Sequence, residues 1–476
     1  MKNVCNPKMS FSECELEILR NAVDTAEKRS AVEKVRSPGV QEIISIVEMF
    51  LKNKKLICYG GTAINNILPK KDQFYNYDQE LPDYDFFSDN ALDDAKELAN
   101  IYFKEGFTEV VASAGIHFGT YKVFVNYIPV ADVTQISKPI FKRLRKDAVS
   151  IDNIMYCPPD FLRMLMFLEL SRPLGDVTRW EKVLKRLTLL NNNYPLKAKN
   201  CSFDNFQRVF EGKENYSLIY DVTRDTIIGH EYIFFGGYAS YLYSRYMGKN
   251  IQKKFIKHPD FDILAEDPEK AAQQIKSRLM NEGVKNVNIK KHEEIGDESI
   301  VLVPVHYEVV VNKDTIAMVY MPMNCHSYNK ITIAGKSVKI ATIDTMLSFY
   351  LAFVYSNKPY YDDNRILCMS KYLFDVQQKN RLAQKGVLKR FSINCHGKPH
   401  TLDEIRRTKT EKYKQLRTKS KSREYEQWFL KYRPDENYKK SKTHKMKNKR
   451  SKKNQVGKKK QTRKNKSIRN LFNIKF

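Results

Sequence analysis

Long apolar runs are missing from this chain. The greasiest stretches, around Leu162–Leu170 and Met346–Tyr355, reach only about ten residues, whereas a helix crossing a bilayer needs about twenty. Cysteine is sparse, at 8 in 476 residues, and no two are spaced as CxxC or CxxxC. That argues against structural zinc and against a small disulfide scaffold, and leads us to expect free, mostly buried thiols in a reducing compartment. The start, MKNVCNPKMSFSECELE, has no apolar run behind its positive charge, so no secretory signal is expected. A soluble intracellular protein without a membrane partner is the expectation. Acid is absent altogether from 439–476, which hold 17 Lys and Arg, and 401–476 carry 28 basic against 7 acidic residues. Most of the formal net charge of +28 therefore sits at the end of the chain. From Lys439 to Arg469 there is almost nothing to bury, so a disordered tail is expected. Such a polycation would add salt-sensitive, sequence-blind affinity for nucleic acid, or serve as a nuclear-import signal or solubilising end.

What is present points to a globular protein. Hydrophobic residues make up 42% and aromatics 12%, too apolar for a mostly disordered chain, and the length suits about two to four domains. One pattern occurs twice. CYGGTAINNILP (Cys58–Pro69) precedes LPDYDFFSD (Leu81–Asp89), and FFGGYASYLYSR (Phe234–Arg245) precedes HPDFDILAE (His258–Glu266). After each PD-aromatic-D come an amphipathic stretch (Ala91–Lys104; Pro268–Met280), a glycine (Gly106; Gly283) and alternating β-branched residues. Each half then reaches an apolar helix opened by an acid, Asp160 or Asp344. A series of matches in near-constant register reads as an internal duplication.

Punctuation sets the local structure of the first copy. Ser37-Pro38 starts a helix to about Lys52. Lys55–Tyr59 is a short strand stopped by Gly60-Gly61, and a helix follows from about Thr62 to before Pro69. In the strand Asp83–Phe87, alternation puts both acids on one face and Tyr84 and Phe86 on the other. A later strand, Val130–Ile136, carries Asp132 among apolar neighbours, where a carboxylate needs a partner or a metal. Gly60 and Gly61 lack a Cβ, so a triphosphate can lie against their N–H groups, and the helix start at Thr62 offers more donors. Asp83, Asp85 and Asp132 would hold two divalent cations, magnesium or manganese, one lowering the pKa of an attacking hydroxyl and one neutralising pyrophosphate. Asp132 would also be the general base, or the ligand that activates the hydroxyl.

Glycine turn, DxD strand and third acid resemble the nucleotidyltransferase fold shared by DNA polymerase β and poly(A) polymerases. GGTA, PDYDFFS, PVADVTQI and the degenerate second copy resemble, more narrowly, the poly(A) polymerase catalytic subunits of poxviruses and giant DNA viruses. The resemblance spans about residues 30–355. It implies an α/β (α+β) chain with two tandem nucleotidyltransferase-fold domains, the second degenerate, flanking helices and the basic tail. The spacing from Gly61 to Asp83 is 22 residues, wider than in cellular members, with Pro69–Glu80 as the apparent insert. By resemblance, Asp83, Asp85 and Asp132 are catalytic metal ligands, Gly60, Gly61 and Thr62 bind ATP, and Lys182 and Lys185, with Arg186, could reach the triphosphate. A solvated helix face is the competing reading of those cations.

The boundaries expected are 1–54 N-terminal helical, 55–172 catalytic, 173–230 connector, 231–356 degenerate copy, 357–438 basic helical and 439–476 tail. In the second copy the place of Asp132 falls on Ala317 or Met318, so that copy should be silent. The series Arg406–Pro434 is either an RNA-facing surface or a solvated helix docked through Tyr425, Trp428 and Phe429. The resemblance implies AMP transfer from ATP to the 3′ end of viral mRNA, in the virion and host cytoplasm, with a homodimer or a processivity subunit as partner. Uridylyl or mixed nucleotide addition, or a silent RNA-binding scaffold, stand as alternatives.

Overall fold

The computed structural model describes residues 5–6, 8–201, 215–255 and 259–434; the tail expected to be disordered lies outside the described residues, as does His258. The first half runs α1 (Phe11–Val35), α2 (Pro38–Lys54), β1 (Ile57–Tyr59), α3 (Gly60–Ile67), β2 (Tyr84–Ser88), α4 (Ala91–Lys104), β3 (Val110–Ala114), β4 (Thr120–Val125), β5 (Ile128–Gln135), α5 (Lys138–Asp147), β6 (Val149–Ile151), β7 (Ile154–Tyr156), α6 (Pro159–Leu170) and α7 (Trp180–Asn193). Strand β1 starts two residues later than expected because α2 extends to Lys54 and Lys55 closes it in the left-handed conformation. Helix α3 starts at Gly60 itself, whose φ of 73° lets the chain leave the strand at once. Positive φ at Asn126 and Tyr127 makes the tight β4–β5 hairpin turn.

The second half runs α8 (Tyr216–Gly229), β8 (Ile233–Phe235), α9 (Gly236–Ser244), α10 (Lys249–Gln252), β9 (Phe261–Leu264), α11 (Pro268–Asn281), β10 (Val287–His292), a ribbon of β11 (Ile295–Gly296) and β12 (Val301–Val303), β13 (His306–Val311), β14 (Asp314–Tyr320), β15 (His326–Ile333), β16 (Lys336–Ala341), α12 (Ile343–Val354) and α13 (Asp363–Lys379). Then come β17 (Cys395–His396), α14 (Leu402–Leu416), α15 (Arg423–Phe429) and β18 (Lys431–Tyr432).

The duplication is visible in the sheets. One sheet has the order β18-β3-β4-β5-β2-β1-β7-β6 and the other β10-β13-β14-β9-β8-β16-β15-β17. Without β18 and β17 the two orders correspond strand for strand. So do the directions: β1 and β8 run antiparallel to β2 and β9, which run parallel to β5 and β14. The last two strands cap one edge of each sheet, β17 against β15 and β18 against β3, and so cover backbone groups that would otherwise template aggregation.

The halves meet through the apolar helices read from the sequence. Every residue of α12 is buried, as expected for a helix apolar all round. It packs on α6; Phe161 meets Tyr355 edge-on at 5.1 Å, and the Ser327 N–H donates to the Ser171 carbonyl at 2.8 Å. The expectation of free thiols is overturned. Cys5–Cys14, Cys201–Cys368 and Cys325–Cys395 are disulfides, and Cys58 and Cys157 remain as buried thiols. The partners lie as far as 167 residues apart, so spacing could not reveal them. Among the described residues no helix is long and apolar enough to cross a membrane.

Candidate active site

The site is built on β1, β2, β4 and β5. Tyr84 and Phe86 of β2 are buried beneath the sheet, which turns Asp83 and Asp85 to the opposite face. Strand β5 lies parallel beside β2, with Asp132 in register with Asp85. The three carboxylates act on one another. Burial, then the Asp132 charge, raises the Asp83 pKa against the pull of Lys122 and Lys182. Asp85 is pushed up to about 7 by burial and then by Asp83 and Asp132, against Lys122 and Arg179. Behind them the Tyr59 ring stacks on Phe87 at 3.9 Å, and its hydroxyl meets Thr134 Oγ1 at 2.9 Å.

The glycine turn abuts this face. A Cβ on Gly60 would run into the Asp85 carboxylate. One on Gly61 would collide with the Tyr75 hydroxyl and lie 2.9 Å from Arg186 Nη1. The insert supplies Tyr75: Asn65 Oδ1 accepts the N–H groups of Phe74 and Tyr75 at 2.8 and 2.9 Å. Arg186 of α7 donates to the Tyr75 hydroxyl at 2.8 Å and lies 4.7 Å over the Phe74 ring. An insert that looked like a spacing anomaly thus holds an aromatic cradle with one arginine over the turn.

The other basic candidates divide. Lys182 acts on Asp83 and has its own pKa lowered first by Arg186. Lys185 is exposed and paired with Glu181 at 2.6 Å, so it is not brought to the turn. The Thr62 hydroxyl is buried and donates to the Asp83 carbonyl at 2.6 Å; it pins the start of β2 and leaves only its backbone for a ligand. Tyr156 is buried, with its hydroxyl accepting from Asn66 at 3.0 Å, and the Tyr194 hydroxyl donates to the Ile67 carbonyl at 2.8 Å. Both are structural here. Lys122 was missed: it lies opposite Asp132 across β4–β5, and its ammonium touches that carboxylate. Its sequence signal is a lone cation on the outward positions of TYKVFV.

Among the described residues no three His, Cys, Asp or Glu side chains close around one point as a metal cage. The donor set nonetheless fits a hard divalent cation. Asp83 and Asp85, with Asp132 beside them, are carboxylates facing one way whose pKa values are raised by burial first and by neighbouring carboxylate charge second, while the Lys122 ammonium already occupies Asp132 as a cation would.

The second copy is closed. Asp262 pairs in register with Met318, so of the two positions considered Met318 stands where Asp132 does. Tyr350, Phe353, Tyr361, Arg365 and Met369 fill the space over Gly237, Asp260 and Asp262, leaving a cavity of about 20 Å³, room for roughly one water. His326 is buried beside Ser171 Oγ at 3.4 Å, with its pKa lowered by burial; it is a packed histidine.

Residues 45–176 match the family described as the poly(A) polymerase catalytic subunit. The chain is 28% identical over 234 residues to a protein provisionally named poly(A) polymerase catalytic subunit from African swine fever virus, covering 46% of this chain and 47% of that one. It is 30% identical over 171 residues to the similarly named protein of Acanthamoeba polyphaga mimivirus, covering 34% and 29%. These matches span about half or less of the relatives' length. The crystal structure of the Megavirus polyadenylate synthase superposes with a TM-score of 0.74 at 20% identity, covering 91% of this chain and 89% of that one. The resemblance read from GGTA, PDYDFFS and PVADVTQI therefore holds: residues 45–176 carry the pattern of a poly(A) polymerase catalytic subunit, on a chain that shares its fold with a viral polyadenylate synthase.

Proposed function

We propose that this chain is a polynucleotide adenylyltransferase that adds AMP from ATP to the 3′ end of viral mRNA without a template. The observation that carries the reading is Asp132 in register with Asp85 beside the Gly60-Gly61 turn, all inside the matched segment. When held by Asp83, Asp85 and Asp132, two magnesium or manganese ions would acidify the RNA 3′-hydroxyl and neutralise the leaving pyrophosphate. Asp132 takes the hydroxyl proton. The 3′-oxygen then bonds to the α-phosphorus as the bond to the β-phosphate oxygen breaks. The backbone N–H groups of Gly60 and Gly61 bind the triphosphate, with Arg186 and Lys182 supplying charge. Little beyond alignment and charge is demanded of the protein.

The domain boundaries expected from the sequence belong to the same proposal, with the second copy as a non-catalytic domain. So does a partner subunit or second copy, since the matched family is described as a catalytic subunit. Location in the virion and host cytoplasm is proposed by analogy with the viral relatives, and the disulfides suit an oxidising particle better than cytosol. The test is incubation of purified protein with oligo(A), magnesium and each nucleoside triphosphate in turn. Extension with ATP that Asp132→Ala abolishes supports the reading. Extension with UTP alone favours uridylyl transfer, and no extension with any nucleotide leaves the silent scaffold.

A further inference from the structure

The chain does not end beside its second sheet. After β17 it returns across the molecule, and α14, α15 and β18 are fastened to the first half. The Leu430 carbonyl accepts from the Ala114 N–H at 2.9 Å, and the Tyr121 hydroxyl donates to the Gln427 carbonyl at 3.2 Å. Trp428 is buried against Phe118 at 4.4 Å. Arg423 pairs with Asp93 at 2.9 Å and Glu426 with Lys96 at 2.7 Å. The segment is a strap with defined seating.

Of the strap's acids, Asp403, Glu411 and Glu424 are exposed, Glu411 one turn from both Arg407 and Lys414, while Glu426 on Lys96 and Glu404 in the α14 capping box serve the fold. Its cations largely do not. Arg407, Lys414, Arg417, Lys419 and Lys421 are exposed and make no ion pair among the described residues. Arg407 and Lys414 are two turns apart on one face of α14, and Tyr413, 49% exposed and edge-on to Phe429 at 5.6 Å, stands one turn before Arg417. The helix that carries them is also tied to the hairpin of the carboxylates. Lys409 donates to the Gly115 carbonyl at 2.5 Å in the β3–β4 turn, and β4, leaving that turn, carries Lys122 on Asp132. His117 in the turn feels Lys409, His400 and Lys122, and they help burial to lower its pKa.

We propose that α14 and the turn after it are the track for single-stranded RNA upstream of the reacting 3′ end, held through its phosphates by Arg407, Lys414, Arg417, Lys419 and Lys421. A surplus of unpaired cations, five against the exposed Glu411 among them, beside the half-exposed Tyr413 suits a single strand, which offers both phosphates and stacking bases; an acidic protein would have no use for a surface tied toward the carboxylates. The reacting-end part of this inference rests on the polymerase reading, whereas the binding surface does not.

The test uses the full chain, basic tail included. Fluorescent oligo(A) is titrated across a salt series against the parent and against the variant with those five residues changed to Gln. A control changes Lys253, Lys276, Lys285, Lys313 and Lys385, exposed or half-buried on the second half, to Gln, for the same loss of net charge. With about 0.7 counterion released per neutralised phosphate, the salt slope of the strap variant should be shallower by about 3 and its affinity at moderate salt about tenfold weaker or more. The control should shift affinity by less than about threefold. Equal losses in both variants, or none in either, overturn the proposal. A photoreactive adenosine a few nucleotides from the 3′ end should crosslink to peptides within 406–421; adducts confined to other segments overturn it as well. Failure of the polymerase reading is distinct: the parent would extend nothing with any nucleotide yet still lose RNA affinity with the strap charges.

Discussion

Lys122 and Asp132 face each other across neighbouring antiparallel strands, and the lysine ammonium rests on the aspartate carboxylate. The contact gives the carboxylates of β2 and β5 a built-in counter-charge. Removing it exposes their mutual repulsion. In EDTA, Lys122→Met should lower the melting temperature more at pH 8, where the acids are ionised, than at pH 5. Equal losses at both pH values, by differential scanning fluorimetry, would mean that Lys122 only packs.

Burial of Asp85, and then the same repulsion, predicts how metal-free protein responds to pH. Asp85 is raised from 3.8 to about 7, so the folded state holds a proton that the unfolded chain releases near pH 4. The stability from that proton is present at low pH and lost as pH rises toward 7. Asp85→Asn should therefore melt roughly 2–5 °C higher than the parent at pH 8 in EDTA, while abolishing extension. A variant that melts lower at pH 8 would contradict the shift.

The two copies should differ sharply in mutagenesis. Asp83→Ala or Asp132→Ala should cut nucleotide addition by about a thousandfold or more, the scale lost when transition-state charge stabilisation is removed. Asp260→Ala, in a copy whose third carboxylate is Met318 and whose cavity is filled, should leave the rate within about twofold. Comparable losses from Asp83→Ala and Asp260→Ala, in single-turnover assays, would overturn the assignment.

Arg186 is held by Tyr75 and Phe74 over the glycine turn. Arg186→Ala should raise the KM for ATP by about tenfold or more, the value of a charge-assisted contact to phosphate. Arg186→Lys should recover little of it, because lysine cannot stack and fork as the guanidinium does. An unchanged KM for ATP in both would remove Arg186 from the site.

The disulfides should be measurable outright. Cys201–Cys368 closes a separation of 167 residues, and constraint of a loop near that size stabilises by on the order of 4–5 kcal/mol in chain-entropy terms. Reductant, or Cys368→Ser, should lower the denaturation midpoint clearly. Six alkylatable thiols beyond Cys58 and Cys157 in denatured, unreduced protein would show the bonds absent.

Local signals carried far. Alternation alone placed Asp83 and Asp85 on one face, because Tyr84 and Phe86 must be buried and the strand period is two. Helix α4 occupies Ala91–Lys104 as read, since its apolar stripe and its bounding turn and glycine are all local. The duplication was legible because insertions between its motifs are few, and the matching strand orders bear it out.

Contacts between distant segments were decided elsewhere. Only β-pairing set Asp132 opposite Asp85 and chose Met318 over Ala317, because register depends on which strands adjoin. Lys122 and Tyr75 joined the site by pairing and by an insert folding back, neither of which has a periodic signature. The cysteine pairs, at separations of 70 and 167 residues, and the seating of α14 on the first half were equally hidden. Composition and periodicity thus determined the elements and the acids that face outward, since both follow from burying one side of each element. The tertiary structure alone decided which of those faces meet, since that depends on packing free energy summed over segments far apart in the chain.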